Sequence, residues 1–119
     1  MTIKTYKISH DETYWEGVVS IDHSNPLATQ AIKDAVEFWM NWEDRLEENG
    51  GDYTTAFLKM LGQKLVCMQL HLGNNTQGTI SDMQREEGWP PLDGSHGITL
   101  VRCDDAEISE DDVYVREHA

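Results

Sequence analysis

Apolar residues recur along this chain with two different periods, and the change of period divides it. Residues 3–9 (Ile-Lys-Thr-Tyr-Lys-Ile-Ser) and 14–22 (Tyr-Trp-Glu-Gly-Val-Val-Ser-Ile-Asp) are rich in β-branched and aromatic side chains, with the polar His10-Asp11-Glu12-Thr13 between them. This predicts an antiparallel hairpin. In its second strand Trp15, Gly17, Val19 and Ile21 share one face, against Glu16, Ser20 and Asp22 on the other, so one side is buried and the other wet. From residue 25 the period becomes helical. Leu27, Ala31, Ala35, Phe38, Trp39, Trp42 and Leu46 recur at steps of three and four, after Asn25 as N-cap and Pro26 at the first helical position. Asn49-Gly50-Gly51 makes a tight turn. Asp52 then caps a second stripe of Tyr53, Ala56, Phe57, Met60, Leu61, Leu65, Met68 and Leu72, which Gly73 closes. Two amphipathic helices, 25–49 and 52–73, therefore fold as a hairpin.

After residue 73 the periodicity weakens. Residues 74–78 are a polar loop, and 79–87 fit either a short helix, capped by Thr79 or Ser81 and ended at Gly88, or an irregular strand; helix is the reading adopted. Trp89-Pro90-Pro91-Leu92-Asp93-Gly94-Ser95-His96-Gly97 is turn chemistry, because Pro fixes φ and Gly permits positive φ. Residues 98–103 predict a third strand, central in the sheet, and 113–116 a shorter fourth, with an acidic loop over 104–112. The elements make one α+β domain over residues 1–119: an antiparallel sheet of three or four strands with a two-helix hairpin packed on one face. The acidic segment 104–119 is peripheral to it.

Charge changes the picture most. Twenty-two acids face nine bases for a net −13, a field that repels nucleic acid and anionic lipid and favours a basic protein partner. Direct nucleic-acid or membrane binding is not expected. Residues 25–49 carry −4 and 104–119 carry −6, so most of the imbalance sits in two stretches. On the helix over 25–49, Glu37, Asp44 and Glu48 lie opposite the apolar stripe, with Glu43 and Glu47 flanking. Carboxylates three or four positions apart on a helix are about 5–6 Å apart. That is close to the roughly 7 Å between phosphates along a strand with about 3.4 Å of axial rise. Such a row can act as a phosphate decoy, although for this helix alone a solvated face is the better explanation. The run Asp104, Asp105, Glu107, Glu110, Asp111 and Asp112 lacks the spacing and the turn glycine of a calcium loop, which leaves a solvated loop or a charged partner surface.

Other candidate chemistry is thin. His10, His23, His71, His96 and His118 stand in no metal-ligand spacing, and no cofactor or metal is expected. Gly94-Ser95-His96-Gly97 resembles a nucleophile motif only superficially, since adjacent Ser and His do not readily adopt triad geometry. Cys67 and Cys103 have no CxxC spacing and read as two buried thiols. No apolar run approaches the roughly 20 residues of a membrane span and no signal peptide precedes the first strand, so the expected location is cytoplasmic. Trp39 and Trp42 read as core. Trp89, between Gly88 and Pro90, either plugs the edge of the core or stands out as an interface anchor.

Tyr6-Lys7-Ile8-Ser9, Trp15-Glu16 and Ile21-Asp22-His23, followed by the helical hairpin and then by Glu87-Gly88-Trp89-Pro90, Asp93-Gly94-Ser95 and Gly97-Ile98, carry a resemblance. Over residues 3–103 the chain resembles a small uncharacterised bacterial family, the domain of unknown function 2528, many of whose members are encoded in phages and prophages. The Gly-Trp-Pro turn is the most specific part, and the acidic tail carries none of the shared pattern. The resemblance implies a mobile-element setting and brings no activity or site residue with it.

The expectation is a non-enzymatic acidic protein-binding module. It would be a phage or prophage accessory protein that blocks a basic, nucleic-acid-binding host protein such as a component of a defence system. Its binding residues would be Glu37, Glu43, Asp44, Glu47, Glu48, Trp89, Asp104, Asp105, Glu107, Glu110, Asp111 and Asp112. One alternative is an immunity-like inhibitor of a nuclease toxin. Another, from a different class, is a small ligand-binding or enzymatic domain built on His96, Asp93 and Trp89, for which a deep pocket beside the 88–97 turn is the discriminating feature. A homodimer whose acidity serves only solubility is a third.

Overall fold

The computed structural model describes residues 2–73, 75–104, 106 and 108–117. Strands β1 (Ile3–His10) and β2 (Trp15–Asp22) form the expected hairpin, with Tyr6 opposite Val19 and His10 opposite Trp15. A 3-10 turn at Asp11–Thr13 joins them and ends on Tyr14 in the left-handed region. β2 alternates strictly, with Trp15, Gly17, Val19 and Ile21 buried, as its period-two pattern requires.

The first helical stretch differs from the sequence expectation. It is two helices, α1 (Pro26–Phe38) and α2 (Trp42–Glu48), separated by Trp39 in an extended conformation and Asn41 in the left-handed region at φ 63°. No Pro or Gly marks this break. Ala35 is buried as the sequence predicts, but the rest of the buried row of α1, Ala28, Ile32 and Val36, lies one position away from the row read from the sequence, and Leu27 and Phe38 are about half exposed. Trp39 is 38% exposed, not core, because the helix ends before its side chain can turn inward; Trp42 is half-buried against the core.

Helix α3 (Tyr53–Leu72) keeps its predicted limits. The Asp52 carboxylate accepts the Thr54 N–H at 3.0 Å, and Gly73 ends the helix at φ 65°. Its core row, Ala56, Phe57, Leu61, Leu65 and Met68, packs on the sheet. Gly62 lets the helix approach β1, since a Cβ there would stand 2.7 Å from Ile8 Cγ2. Cys67 is exposed and Cys103 is half-buried, so neither is the fully buried thiol that their apolar character suggested.

Helix α4 (Thr76–Met83) begins three residues before the stretch read as helical, because Asn75 caps it by accepting the Gly78 N–H. It buries Ile80 and Met83. Strand β3 (Ile98–Cys103) pairs with β2, so the sheet order is β1-β2-β3 and β3 lies at an edge where the sequence suggested a central strand. β2 is central, and Val101 is the extra residue of a bulge opposite Val18 and Val19. Part of the outer edge of β3 is occupied by the preceding loop, where the Leu100 N–H donates to Leu92 O at 2.9 Å. α4 is joined to β3 by the Cys103 N–H donating to Thr76 Oγ1, and to α3 by buried Gln69, whose Nε2 donates to Thr79 Oγ1 at 2.7 Å. Residues 113–116 do not form the expected fourth strand: the stretch is exposed and unpaired among the described residues.

The other face of the sheet is polar. Glu16 there takes Arg102 at 2.8 Å and Lys7 at 3.1 Å, and the Arg102 hydrogen bond holds its carboxyl below the usual range.

Candidate protein-binding surface

α2 brings four of the candidate carboxylates together. Trp42, Arg45 and Leu46 turn inward, half-buried, and this leaves Glu43, Asp44, Glu47 and Glu48 exposed on the other side. None of the four is in an ion pair among the described residues. Glu43 and Asp44 suit the positive N-terminal end of the helix, whereas Glu47 and Glu48 stand at its negative end, where the dipole disfavours them.

The remaining candidates fall elsewhere. Glu37 belongs to α1 and is half-buried; its Oε2 accepts the Tyr53 hydroxyl at 2.7 Å, which raises the phenol above its ordinary range. It is not on the outer acidic face, because the buried row of α1 is displaced from the one read in the sequence. Asp104 is exposed and lies 3.6 Å from Arg102. Glu110, Asp111 and Asp112 form an exposed 3-10 turn capped by Ser109, and Tyr14 donates its hydroxyl to Asp112 at 3.2 Å. Asp105, Glu107 and His118 lie outside the described residues.

The two acidic sets are carried by different elements, α2 in one case and the 3-10 turn over Glu110–Asp112 in the other. Arg45 and Glu48 of α2 border a depression with Ala56, Lys59 and Met60, on the first half of α3. Tyr14, which holds Asp112, belongs to the β1–β2 turn, and that end of the sheet packs beside Val66 and Leu70 of the second half.

Trp89 is half-buried and plugs the helix break. Its ring lies 6.3 Å from Trp39 and 6.2 Å from Phe57. Gly88 before it, at φ 85°, brings the backbone against Phe38, with an added Cβ only 2.5 Å from the ring. The break between α1 and α2 is thus filled by the Gly-Trp-Pro turn.

Beside that turn runs an open groove of about 480 Å³. Leu27, Ala31, Ala35 and Phe38 form one wall, and Trp89, Pro90, Pro91 and His96 the other. Leu27, Ala31 and Phe38, which the sequence assigns to the core, therefore face this groove, while Ala28, Ile32 and Val36 take the core together with Ala35. The signal was present as an apolar surface on 25–38 too wide for one stripe. Ser95 Oγ lies 3.2 Å from His96 Nδ1, but Asp93 is engaged with Ser95, whose hydrogen bonds keep its carboxyl below the usual range. No carboxylate completes a triad on His96 among the described residues.

A family profile described as protein of unknown function (DUF2528) spans residues 17–115. The chain belongs to that family. The match takes in the acidic segment up to residue 115, so that segment is not an addition to the DUF2528 region. Two relatives in phage lambda biology are similar over nearly their whole lengths. These are protein ea10 of Escherichia phage lambda and a lambda prophage-derived protein ea10 of Escherichia coli O6:H1 strain CFT073, each 30% identical over 116 residues and 92% covered, as is this chain. This DUF2528 protein is therefore phage-associated. No solved structure matches it. No helix of its described residues is long and apolar enough to cross a membrane.

Proposed function

We propose that this phage-associated protein is a non-enzymatic, acidic protein-binding module that blocks a basic, nucleic-acid-binding host protein, such as a component of a defence system. The observation that carries the reading is the outer face of α2, where Glu43, Asp44, Glu47 and Glu48 stand exposed and unpaired in a chain of net charge −13. Lys7, Lys64 and Arg102 are engaged in internal pairs with Glu16, Glu86 and Asp104, none of which lies on α2. Long-range attraction then speeds encounter with a basic surface, and apolar contact supplies short-range affinity.

The test is capture from host lysate with the wild-type chain and with a variant carrying Glu43→Gln, Asp44→Asn, Glu47→Gln and Glu48→Gln. A basic partner should be retained by the wild type at low salt. It should be released near 1 M salt, where the Debye length is about 3 Å, and should be absent from the variant. Identical capture by both chains, or retention indifferent to salt, refutes the electrostatic reading.

The groove beside the 88–97 turn favours a second reading, a small-ligand site with His96 at its rim and Trp89 in its wall. Saturable quenching of Trp89 fluorescence by an uncharged small molecule, unaffected by salt, would support it over the first.

A further inference from the structure

Two apolar rows on one helix need two separate partners, and the fold supplies only one. Ala28, Ile32 and Val36 of α1 are covered by the core, but Leu27, Ala31 and Phe38 face a groove open to solvent. From Leu27 to Phe38 that row runs about 17 Å at 1.5 Å per residue. A docked helix presents side chains at i, i+4, i+7 and i+11 over the same length. Beyond Phe38 the helix breaks, and Met40, 85% exposed, stands in the break just before α2, whose first turn carries Glu43 and Asp44.

The charge around the groove selects its occupant. Among the described residues Asp34 is the one carboxylate in the lining, and no Lys or Arg lines it. Gln30 satisfies Asp34 Oδ1 at 2.8 Å and leaves the second oxygen free for a donor from outside, as far as the described residues go. An acidic occupant would meet Asp34 and then the carboxylates of α2. A second copy of this chain would bring its own −13 against this one. A polycation without apolar side chains would leave the groove unfilled.

We infer that the groove between α1 and the Gly88–Trp89–Pro90–Pro91 turn docks an amphipathic, basic segment of the protein partner. The apolar side chains of that segment lie along Leu27, Ala31 and Phe38, and its Lys or Arg residues reach Asp34 and the carboxylates of α2. This rests on the reading of α2 as a surface for a basic protein and adds the seat of the apolar contacts.

Two synthetic peptides of identical Leu and Lys composition test it, one with helical amphipathic spacing and one scrambled, their binding followed by fluorescence anisotropy. The amphipathic peptide should bind the wild-type chain at least about tenfold more tightly than the scrambled one. Ala31→Trp, which fills the groove, and Leu27→Asp at its far end should each remove that preference, with melting temperatures confirming that both variants fold. The α2 quadruple variant should weaken both peptides alike. Equal binding of the two peptides to the wild type, or a preference that survives both groove substitutions, overturns the inference and leaves the acidic surface standing. Indifference of both peptides to the quadruple variant sinks the acidic surface instead.

Discussion

At position 88 a methyl group would have to share space with the ring of Phe38, 2.5 Å from its Cδ1, on a backbone already at φ 85°. Both costs fall on one residue. Gly88→Ala should therefore lower stability by about 1–3 kcal/mol, read as a shift of the urea midpoint at unchanged slope. Gly88→Ala combined with Phe38→Leu should recover only the steric part. Asp52 offers a test of a different kind. Its carboxylate takes Thr55 Oγ1 at 2.7 Å and the Thr54 N–H at 3.0 Å, and the hydrogen bond from Thr55 is the main reason its carboxyl lies below the ordinary range. The folded chain then gives up this proton more readily than the unfolded one, so the unfolded chain binds more protons in acid. This contribution is full above the ordinary Asp value and is lost as pH falls below about 4. Asp52→Asn keeps the cap without the titration. The melting-temperature gap between wild type and Asp52→Asn should shrink from pH 7 to pH 3, whereas Asp52→Ala should cost about 1 kcal/mol at neutral pH through the lost cap.

Among the elements, α1 and α2 show where local pattern stops being sufficient. The β1–β2 hairpin and α3 were legible because each carries its own stop signals: alternation bounded by a polar turn in one case, Asp52 and Gly73 in the other. The break at residues 39–41 has no such punctuation. It is made from a distance, by a Trp89 ring that lodges near Trp39 and Phe57, and the one local clue is that Asn tolerates the left-handed region better than most residues. Asn41→Ala should therefore cost about 1–2 kcal/mol and Asn41→Gly much less, with chemical denaturation as the measure. Candidate-site residues divide in the same way. That α2 is acidic is written in its composition, and that Asp104 lies beside Arg102 follows from their spacing of two, but that Glu37 is spent on Tyr53 depends on helix phase. The edge position of β3 and the absence of pairing at 113–116 were hidden for the same reason: strand order is set by long-range packing, not by the residues of the strand itself.

For the whole molecule, a net −13 sets two responses to salt against each other. Self-repulsion within the folded chain is screened as ionic strength rises, so its melting temperature should increase with added NaCl, while affinity for a basic partner should fall. A calorimetric scan and a binding titration over the same salt series would show the opposed slopes; a melting temperature that falls with salt would mean that the internal pairs around Glu16 outweigh the repulsion. The order of the sheet has a consequence in time as well. β2, near the start of the chain, needs β3 for its second edge, and Ile21 waits for Ile98 while Gly17 waits for Cys103. During synthesis the hairpin and α3 leave the ribosome with one side of the central strand unpaired until β3 has emerged. Loop closure over so long a separation makes this pairing slow. A nascent chain stalled before residue 98 should be cut rapidly by protease within β2, and one stalled far enough along for β3 to have emerged should resist.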